Sequence, residues 1–244
     1  MGRLNVPWCK GLFFGVLIHL CTMGVLSTKK PELLPVVGIT GGIGSGKSLV
    51  SAIFSSMNVP TFNADEVAKG LYPSDLELRK WVVDQFGTDC GRWKEGKLVD
   101  VNRAALARIV FDDSSALALL NAQIHPRVGT AFRHWHSAQS TNQQSPFVLR
   151  EAAILLESDS YRDCHAVIAV EAPIALRAQR AAVRLGISVH EVENRIRMQW
   201  TDEERRKKAD FILHNAPEDA LLNQVIQVHN QICESIGKDI RFDS

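Results

Sequence analysis

Short apolar runs alternate with segments of helical periodicity over most of the chain. The apolar run 36–40 precedes a glycine-rich turn at 41–46, and residues 47–57 then follow a helical pattern. The continuous apolar run 165–170 is typical of a strand that is buried on both faces. Strands that alternate with helices in this way predict an α/β fold, with a parallel sheet covered by helices on both faces.

The same pattern predicts the remaining elements. Further strands are predicted at 59–62, 147–149 and 209–213. Helices are predicted at 64–86 with a break at Pro73, at 103–111, at 114–124, at 126–137 starting from Pro126, from Pro173 onward, and at 217–232. Residues 87–96 are rich in turn formers, and 139–145 form a polar loop.

Two helix-rich stretches, about 65–137 and about 184–208, interrupt the alternation of strands and helices. The second contains two capping boxes, Ser188-x-x-Glu191 and Thr201-x-x-Glu204, and each predicts the start of a helix. Ligands of open α/β sheets bind at the carboxyl edge of the strands. We therefore expect both stretches to be insertions over that edge.

Composition narrows the class of protein. The chain has 244 residues and a mass of 27.1 kDa, with 45% hydrophobic and 23% charged residues, which excludes collagen, a coiled coil, a disordered chain and a polytopic membrane protein. Its 28 basic and 27 acidic residues argue against a nucleic-acid partner. The five cysteines have no CxxC spacing, so neither a zinc site nor a disulfide framework is indicated.

The charge is unevenly distributed. Residues 177–208 carry nine basic and five acidic side chains in a chain whose net charge is only +1. A basic segment of this kind indicates a local anionic ligand such as a phosphate cluster. The alternative is a solvated helical face with lysine and arginine paired to glutamate.

One motif decides the class of chemistry. Residues 41–48, GGIGSGKS, match the P-loop pattern G-x-x-x-x-G-K-[ST] in full, with an apolar run before them and a helical pattern after them. Such a loop turns its backbone N–H groups toward phosphate, and the next helix adds its N-terminal dipole. In this pattern Lys47 reaches the β and γ phosphates and the Ser48 hydroxyl binds Mg²⁺. The predicted nucleotide-binding residues are Gly42, Gly44, Ser45, Gly46, Lys47, Ser48 and Leu49.

Other P-loop classes fit less well. The guanine-binding motif N-K-x-D is absent from the sequence, and residues 84–87 match D-x-x-G only by letter because no apolar strand precedes them. A large motor ATPase would need a longer chain. A small-molecule kinase fits, with a compact core, an insertion for the acceptor and a basic lid.

The sequence resembles the dephospho-CoA kinase family from about Val36 to about Ile232. The form VVGITGGIGSGKS at 36–48 is more specific than a generic P-loop, and Asn63-Ala64-Asp65 resembles the family's D-A-D. The other segments that carry the resemblance are Phe86-Gly87, Gly96 to Arg103, Val110-Phe111, Ile124-His125-Pro126, Ile154 to Glu157, Gln179-Arg180, Arg195 to Gln199 and Ala209 to Asn215.

The resemblance implies a P-loop NTPase fold with a three-layer α/β/α core, a helical CoA-binding insertion at about 65–137 and a lid at about 184–208. It also implies ATP- and Mg²⁺-dependent phosphorylation of the ribose 3′-hydroxyl of dephospho-CoA, which is the last step of coenzyme A biosynthesis. The alternatives are another P-loop nucleoside or nucleotide kinase, and a membrane-tethered ATP-binding protein without turnover. The sequence does not indicate an oligomeric state.

The chain departs from the family at several positions. Asn63 replaces the first Asp of D-A-D, and Lys69 stands where the family has Arg, which keeps the charge but loses a planar fork. Ala153 replaces a Pro, and Glu151 lies near the position of a family Asp. These departures bear on acceptor binding and on the surroundings of the metal.

The predicted catalytic residues are Asp65, Lys47 and Arg180. Asp65 is the general base for the attacking hydroxyl, or alternatively only the N-cap of a helix starting at Glu66. Arg180 clamps the transferring phosphoryl group, or alternatively forms a surface ion pair, and Arg184 is a weaker candidate.

Glu151 is predicted to hold a water molecule bound to Mg²⁺. The alternative is a carboxylate at a strand end that is paired with Arg150 or another cation.

Residues 11–26 form an apolar stretch without Asp, Glu, Lys or Arg. The stretch is shorter than the roughly 20 residues of a spanning helix, and no A-x-A-like cleavage site follows it. It is a membrane anchor, a cleaved signal or an upstream extension with Met23 as the true first residue. Since the chemistry needs cytosolic nucleotide, we expect a cytoplasmic protein with an extension at 1–35 and a kinase domain at 36–244. Membrane association is expected only through residues 11–26.

Overall fold

The computed structural model describes residues 33–140 and 145–237. The apolar stretch 11–26, most of the predicted extension and most of the predicted polar loop lie outside the described residues. Within the described residues, no helix combines the length and apolar character needed to cross a membrane.

A parallel sheet forms the centre of the fold. Its strands in the described part of the chain are β1 (Val36–Thr40), β2 (Thr61–Asn63), β5 (Val148–Glu151), β6 (Ala166–Glu171) and β7 (Phe211–His214), in the spatial order β2-β5-β1-β6-β7. Every pairing is parallel, and β1 lies at the centre between β5 and β6. The carboxyl ends of all these strands therefore meet at one edge, where the P-loop begins.

Helices cover the sheet. Their bounds are α1 (Lys47–Ser56), α2 (Ala64–Ser74), α3 (Leu76–Phe86), α4 (Arg103–Asp112), α5 (Ser114–Ser140), α6 (Ile174–Leu185), α7 (Val189–Arg197), α8 (Asp202–Arg206) and α9 (Leu221–Gly237). Alternate residues of β1 point to opposite faces: Val37 packs in one apolar core with α1 and α9, and Val36 packs in another with α2 to α5. The predicted parallel α/β architecture is confirmed.

The stretch predicted as the acceptor insertion contains α2 to α5 and a feature that the sequence analysis missed. Residues 87–101, expected in part as turns, include a short 3₁₀ turn and the antiparallel hairpin β3 (Gly91–Lys94) and β4 (Lys97–Val101). Exposed polar side chains and a bulge between Arg92 and Trp93 obscure the alternation that marks a strand.

Two expectations about proline were wrong. The helix does not break at Pro73, which lies in the last turn of α2; the break falls at Asp75, whose side chain caps the N-terminus of α3. Pro126 does not start a helix, because α5 runs through it. Buried residues spaced by four line α5 on both sides of Pro126, and this packing outweighs the roughly 3 kcal/mol that an interior proline costs.

The stretch predicted as a lid contains α7 and α8. Both predicted capping boxes are present: Ser188 and Glu191 begin α7, and Thr201 and Glu204 begin α8. In each box the hydroxyl accepts from the backbone N–H of the glutamate, and the glutamate carboxylate accepts from the backbone N–H of the cap residue.

Candidate active site

The P-loop connects the end of β1 to the start of α1. Gly44 and Gly46 have φ values of +77° and +100°, in the left-handed region that L side chains rarely adopt, and Gly46 is the N-cap of α1. A helix N-terminus offers unpaired backbone N–H groups and a positive dipole to an anion. The loop and α1 thus form an anion site at the carboxyl edge of the sheet.

Lys47 is the first residue of α1, and its amine turns back over the loop. Its Nζ donates a hydrogen bond to the carbonyl oxygen of Gly41 at 2.8 Å. Burial lowers the pKa of this amine from its ordinary value, while the carboxylates of Asp65 and Glu151 oppose that shift. The amine is held inside the site, where a phosphate oxygen could replace the Gly41 carbonyl as its partner.

Ser48 faces a buried carboxylate on β5. Its hydroxyl donates to Oε1 of Glu151 at 3.1 Å, and the amide of Asn63 donates to Oε2 at 3.2 Å. Glu151 is 4% exposed, so these two donors replace much of the water that the carboxylate loses. The alternative pairing of Glu151 with Arg150 is wrong: the arginine donates to the carbonyl of Ser160 at 3.2 Å instead.

Asp65 lies in the first turn of α2. The helix begins at Ala64 and its N-cap is Asn63, which accepts from the backbone N–H of Glu66 at 3.0 Å. The interpretation of Asp65 as the N-cap is therefore wrong. Oδ2 of Asp65 accepts from the backbone N–H of Ala153 at 3.2 Å, which fixes the carboxylate across from the P-loop.

Arg180 lies on α6 and reaches the other side of the loop. A cavity of about 210 Å³ is lined by Gly44, Gly46, Lys47, Ser48, Leu49, Arg180 and Arg184. Arg180 donates through Nη1 to the carbonyl of Asn215 at 2.9 Å, and the Asn215 amide donates to the carbonyl of Ser45 at 2.8 Å. Arg180 is thus tied to the loop through Asn215, and among the described residues it forms no ion pair within 4.0 Å.

The comparison with known proteins bears on this geometry. The family model of dephospho-CoA kinase matches residues 35–220. The chain belongs to the dephospho-CoA kinase family. The dephospho-CoA kinase of Chlorobaculum tepidum is 38% identical over 205 residues, which cover 83% of this chain and 97% of that relative. The dephospho-CoA kinase of Bacteroides fragilis is 36% identical over 192 residues, which cover 79% and 90%.

Solved structures share the fold of this chain. The crystal structure of TT1252 from Thermus thermophilus has a TM-score of 0.68 at 29% identity and covers 84% of this chain and 98% of that one. Dephospho-CoA kinase from Campylobacter jejuni shares the fold, with a TM-score of 0.53 at 24% identity and coverage of 81% and 97%. The predicted P-loop kinase fold and the predicted function, phosphorylation of dephospho-CoA, are confirmed.

The departures from the dephospho-CoA kinase family have structural consequences. Asn63 uses both ends of its amide, as cap acceptor and as donor to Glu151; an aspartate could cap but not donate. Ala153 supplies the N–H that Asp65 accepts, and a proline would lack it. Lys69 forms an exposed pair with Glu66 at 2.6 Å.

The sequence analysis of this dephospho-CoA kinase family member missed a buried polar group beside the P-loop. Arg177 donates through Nε to the carbonyl of Ile43 at 3.1 Å, and Gln199 accepts from the backbone N–H of Ile43 at 2.8 Å. Arg177 and Arg205 both contact Asp202. The basic composition of 177–208 was the signal, but it did not show which arginines are buried.

A larger groove lies between the insertion and the lid. It has a volume of about 900 Å³ and is lined by α4, the start of α5, α7 and Met198. Phe111 and Met198 are exposed there, and Arg108 and Arg195 supply positive charge. Glu191 also lines the groove, so two arginines and one glutamate stand among its apolar residues. Walls that combine apolar and cationic groups suit a long ligand that has both alkyl and phosphate parts.

Proposed function

We propose that this chain transfers the γ-phosphoryl group of ATP to the ribose 3′-hydroxyl of dephospho-CoA, giving CoA and ADP, through Lys47, Ser48, Asp65 and Arg180. The observation that carries the proposal is the placement of a buried lysine and a carboxylate around one anion site at the edge of the sheet. Phosphoryl transfer rests on positioning and charge stabilisation, which this arrangement can supply.

The P-loop binds the triphosphate in this proposal. Phosphate oxygens accept hydrogen bonds from backbone N–H groups of the loop and of the first turn of α1, in the segment that contains Gly42, Gly44, Ser45, Gly46, Lys47, Ser48 and Leu49. The amine of Lys47, now on the Gly41 carbonyl, exchanges that partner for a phosphate oxygen. Such an exchange stabilises an amine that burial otherwise disfavours.

Mg²⁺ fits beside Ser48. The serine hydroxyl is an oxygen ligand of the type that Mg²⁺ prefers, and the Glu151 carboxylate beside it would hold a water bound to the ion. Mg²⁺ usually keeps such waters and adds substrate phosphates instead of using an all-protein cage. Among the described residues, no group of three or more His, Cys, Asp or Glu side chains could hold a metal. When bound, the ion would neutralise charge on the phosphates.

Asp65 takes the proton of the acceptor hydroxyl. Ala153 holds Oδ2 through its backbone N–H, which leaves Oδ1 as the oxygen that can accept that proton. Arg180 neutralises the charge on the transferring group with its guanidinium, and its anchor on Asn215 restricts where that guanidinium can lie.

The acceptor occupies the groove between α4 and α7. Dephospho-CoA has a long pantetheine arm and a diphosphate, and the groove offers the apolar Phe111 and Met198 together with Arg108 and Arg195. The insertion at about 65–137 and the lid at about 184–208 each supply one wall. In this proposal the kinase domain is 36–244, residues 1–35 are a dispensable extension, and the protein acts in the cytoplasm.

The test is an ADP-release assay with dephospho-CoA and with a panel of nucleoside and nucleotide acceptors. We expect turnover with dephospho-CoA only, and a product phosphorylated at the 3′ position by ³¹P NMR. Lys47→Ala should abolish turnover, and Lys80→Ala, an exposed lysine paired with Glu77, should not. Faster turnover with a nucleoside, or full activity in Lys47→Ala, would refute the proposal.

A further inference from the structure

Ile43, in the middle of the P-loop, contacts the lid and α6 through its peptide N–H, its carbonyl and its side chain. The peptide N–H of Ile43 donates to Gln199, and its carbonyl accepts from Arg177. Its side chain packs against a buried apolar cluster of α6 and α7 that contains Ala178, Ala181, Ala182 and Val192. The middle of the P-loop is therefore shaped by residues more than 130 positions away in the sequence.

Arg177 is the centre of these contacts. It is 2% exposed, and its Nη1 donates to both carboxylate oxygens of Asp202, at 2.9 and 3.1 Å. A β-carbon at Gly42 would overlap its guanidinium, and one at Gly44 would overlap its backbone carbonyl. The glycines of the loop thus permit close approach of Arg177 as well as of a phosphate.

Asp202 connects this contact to the lid. It is the first residue of α8, and it also accepts from Arg205 at 3.4 Å. Arg205 is fully buried and donates to Glu157 at 3.2 Å. The Asp202 carboxylate therefore fixes both the position of α8 and the position of the Arg177 guanidinium.

We propose that Arg177, Gln199 and Asp202 form a positioning unit that holds the Ile43 peptide. Through this unit, the geometry of the P-loop depends on the position of the lid. None of the three reaches the cavity at Lys47 and Ser48, so they act on ATP through the loop. The inference rests on the proposed role of the loop as the ATP phosphate site. It predicts that breaking the unit weakens ATP binding more than acceptor binding.

Arg177→Lys tests the unit because it keeps the charge but cannot donate at once to Ile43 and, through a planar fork, to Asp202. The matched control is Arg206→Lys. Arg206 also lies on α8, and its planar pair with Glu171 at the end of β6 makes no contact with the P-loop. We expect Arg177→Lys to raise KM for ATP about tenfold or more, as loss of a charged hydrogen bond implies, with KM for dephospho-CoA changed less than about twofold. In Arg206→Lys both constants should stay within about twofold.

A second variant, Gln199→Met, tests the same inference if Arg177→Lys does not fold. Gln199→Met removes the acceptor of the Ile43 N–H at a half-buried position, and it should also raise KM for ATP selectively. Because both residues hold one peptide, the double variant should lose less than the product of the two single effects. Effects that multiply, equal changes in both KM values, or an Arg177→Lys enzyme that matches Arg206→Lys would each overturn the inference.

The rise in melting temperature on addition of ATP separates this inference from the proposed function. A ligand that binds the folded state raises the melting temperature, and the rise grows with the logarithm of the ligand concentration relative to its Kd. A wild-type chain without an ATP-induced rise would refute the proposed function itself. A wild-type rise that Arg177→Lys and Gln199→Met retain in full would refute the positioning unit alone.

Discussion

Asp65→Asn separates the chemical role of this side chain from its structural one. The change keeps the size of the side chain and keeps an oxygen that can accept from the Ala153 N–H, now at 3.2 Å. It removes the negative charge and the ability to take a proton. If Asp65 is the general base, kcat should fall about 10²- to 10⁴-fold with KM for ATP little changed.

The cost in stability should be small. Asp65 is in the first turn of α2, where loss of a negative charge costs about 0.3–1 kcal/mol through the helix dipole. In a chain of this size, 1 kcal/mol corresponds to roughly 2–4 °C in melting temperature. A decrease of a few degrees with a loss of several orders of magnitude in kcat would therefore be a chemical effect.

Glu66→Gln is the matched control because it removes the same charge from the same helical turn. Glu66 is exposed and pairs with Lys69 instead of facing the P-loop. It should lower the melting temperature about as much as Asp65→Asn and leave kcat unchanged. Near-normal kcat in Asp65→Asn would refute the assignment and leave catalysis to Lys47, Arg180 and the metal.

Two further predictions concern the metal site and the N-terminal segment. Asn63→Asp keeps the cap of α2 but places a carboxylate, instead of a hydrogen-bond donor, next to Glu151. The free energy of unfolding should therefore fall by about 1–3 kcal/mol in EDTA and recover in part with Mg²⁺. An equal decrease in melting temperature in both conditions would contradict this. Deletion of residues 1–22 should leave ADP release with dephospho-CoA intact; loss of turnover, or membrane fractionation of the full chain only, would instead favour an anchor.

Several elements of the fold could be predicted because their signals are local. The buried run of β6 and the two capping boxes depend on residues within a few positions of each other, and all were found where expected. The courses of α2 and α5 at their prolines were mispredicted. There, packing against the sheet and a cap supplied by Asp75 decided the outcome, and neither is visible in a short window of sequence.

In the candidate site, too, some roles could be assigned from local sequence and others depended on the structure. Lys47 and Ser48 could be assigned from the motif, since a glycine-rich turn followed by a helix start creates an anion site by its backbone alone. The role of Asp65 depended on where α2 begins, and a shift from Glu66 to Ala64 passed the cap to Asn63. The boundary of a helix end is set by side-chain competition that sequence patterns resolve poorly.

The sequence by itself determined the P-loop and the alternation of strands and helices, because these depend on residues that are neighbours along the chain. It also determined the family, through the order of short segments between about Val36 and about Ile232. Only the tertiary structure decided which charges meet. Arg177 reaches Ile43 across 134 positions and Asn63 reaches Glu151 across 88. The sequence alone does not distinguish a buried arginine from an exposed one. Packing removes water from the buried side chain, which then needs a fixed hydrogen-bond partner in the protein.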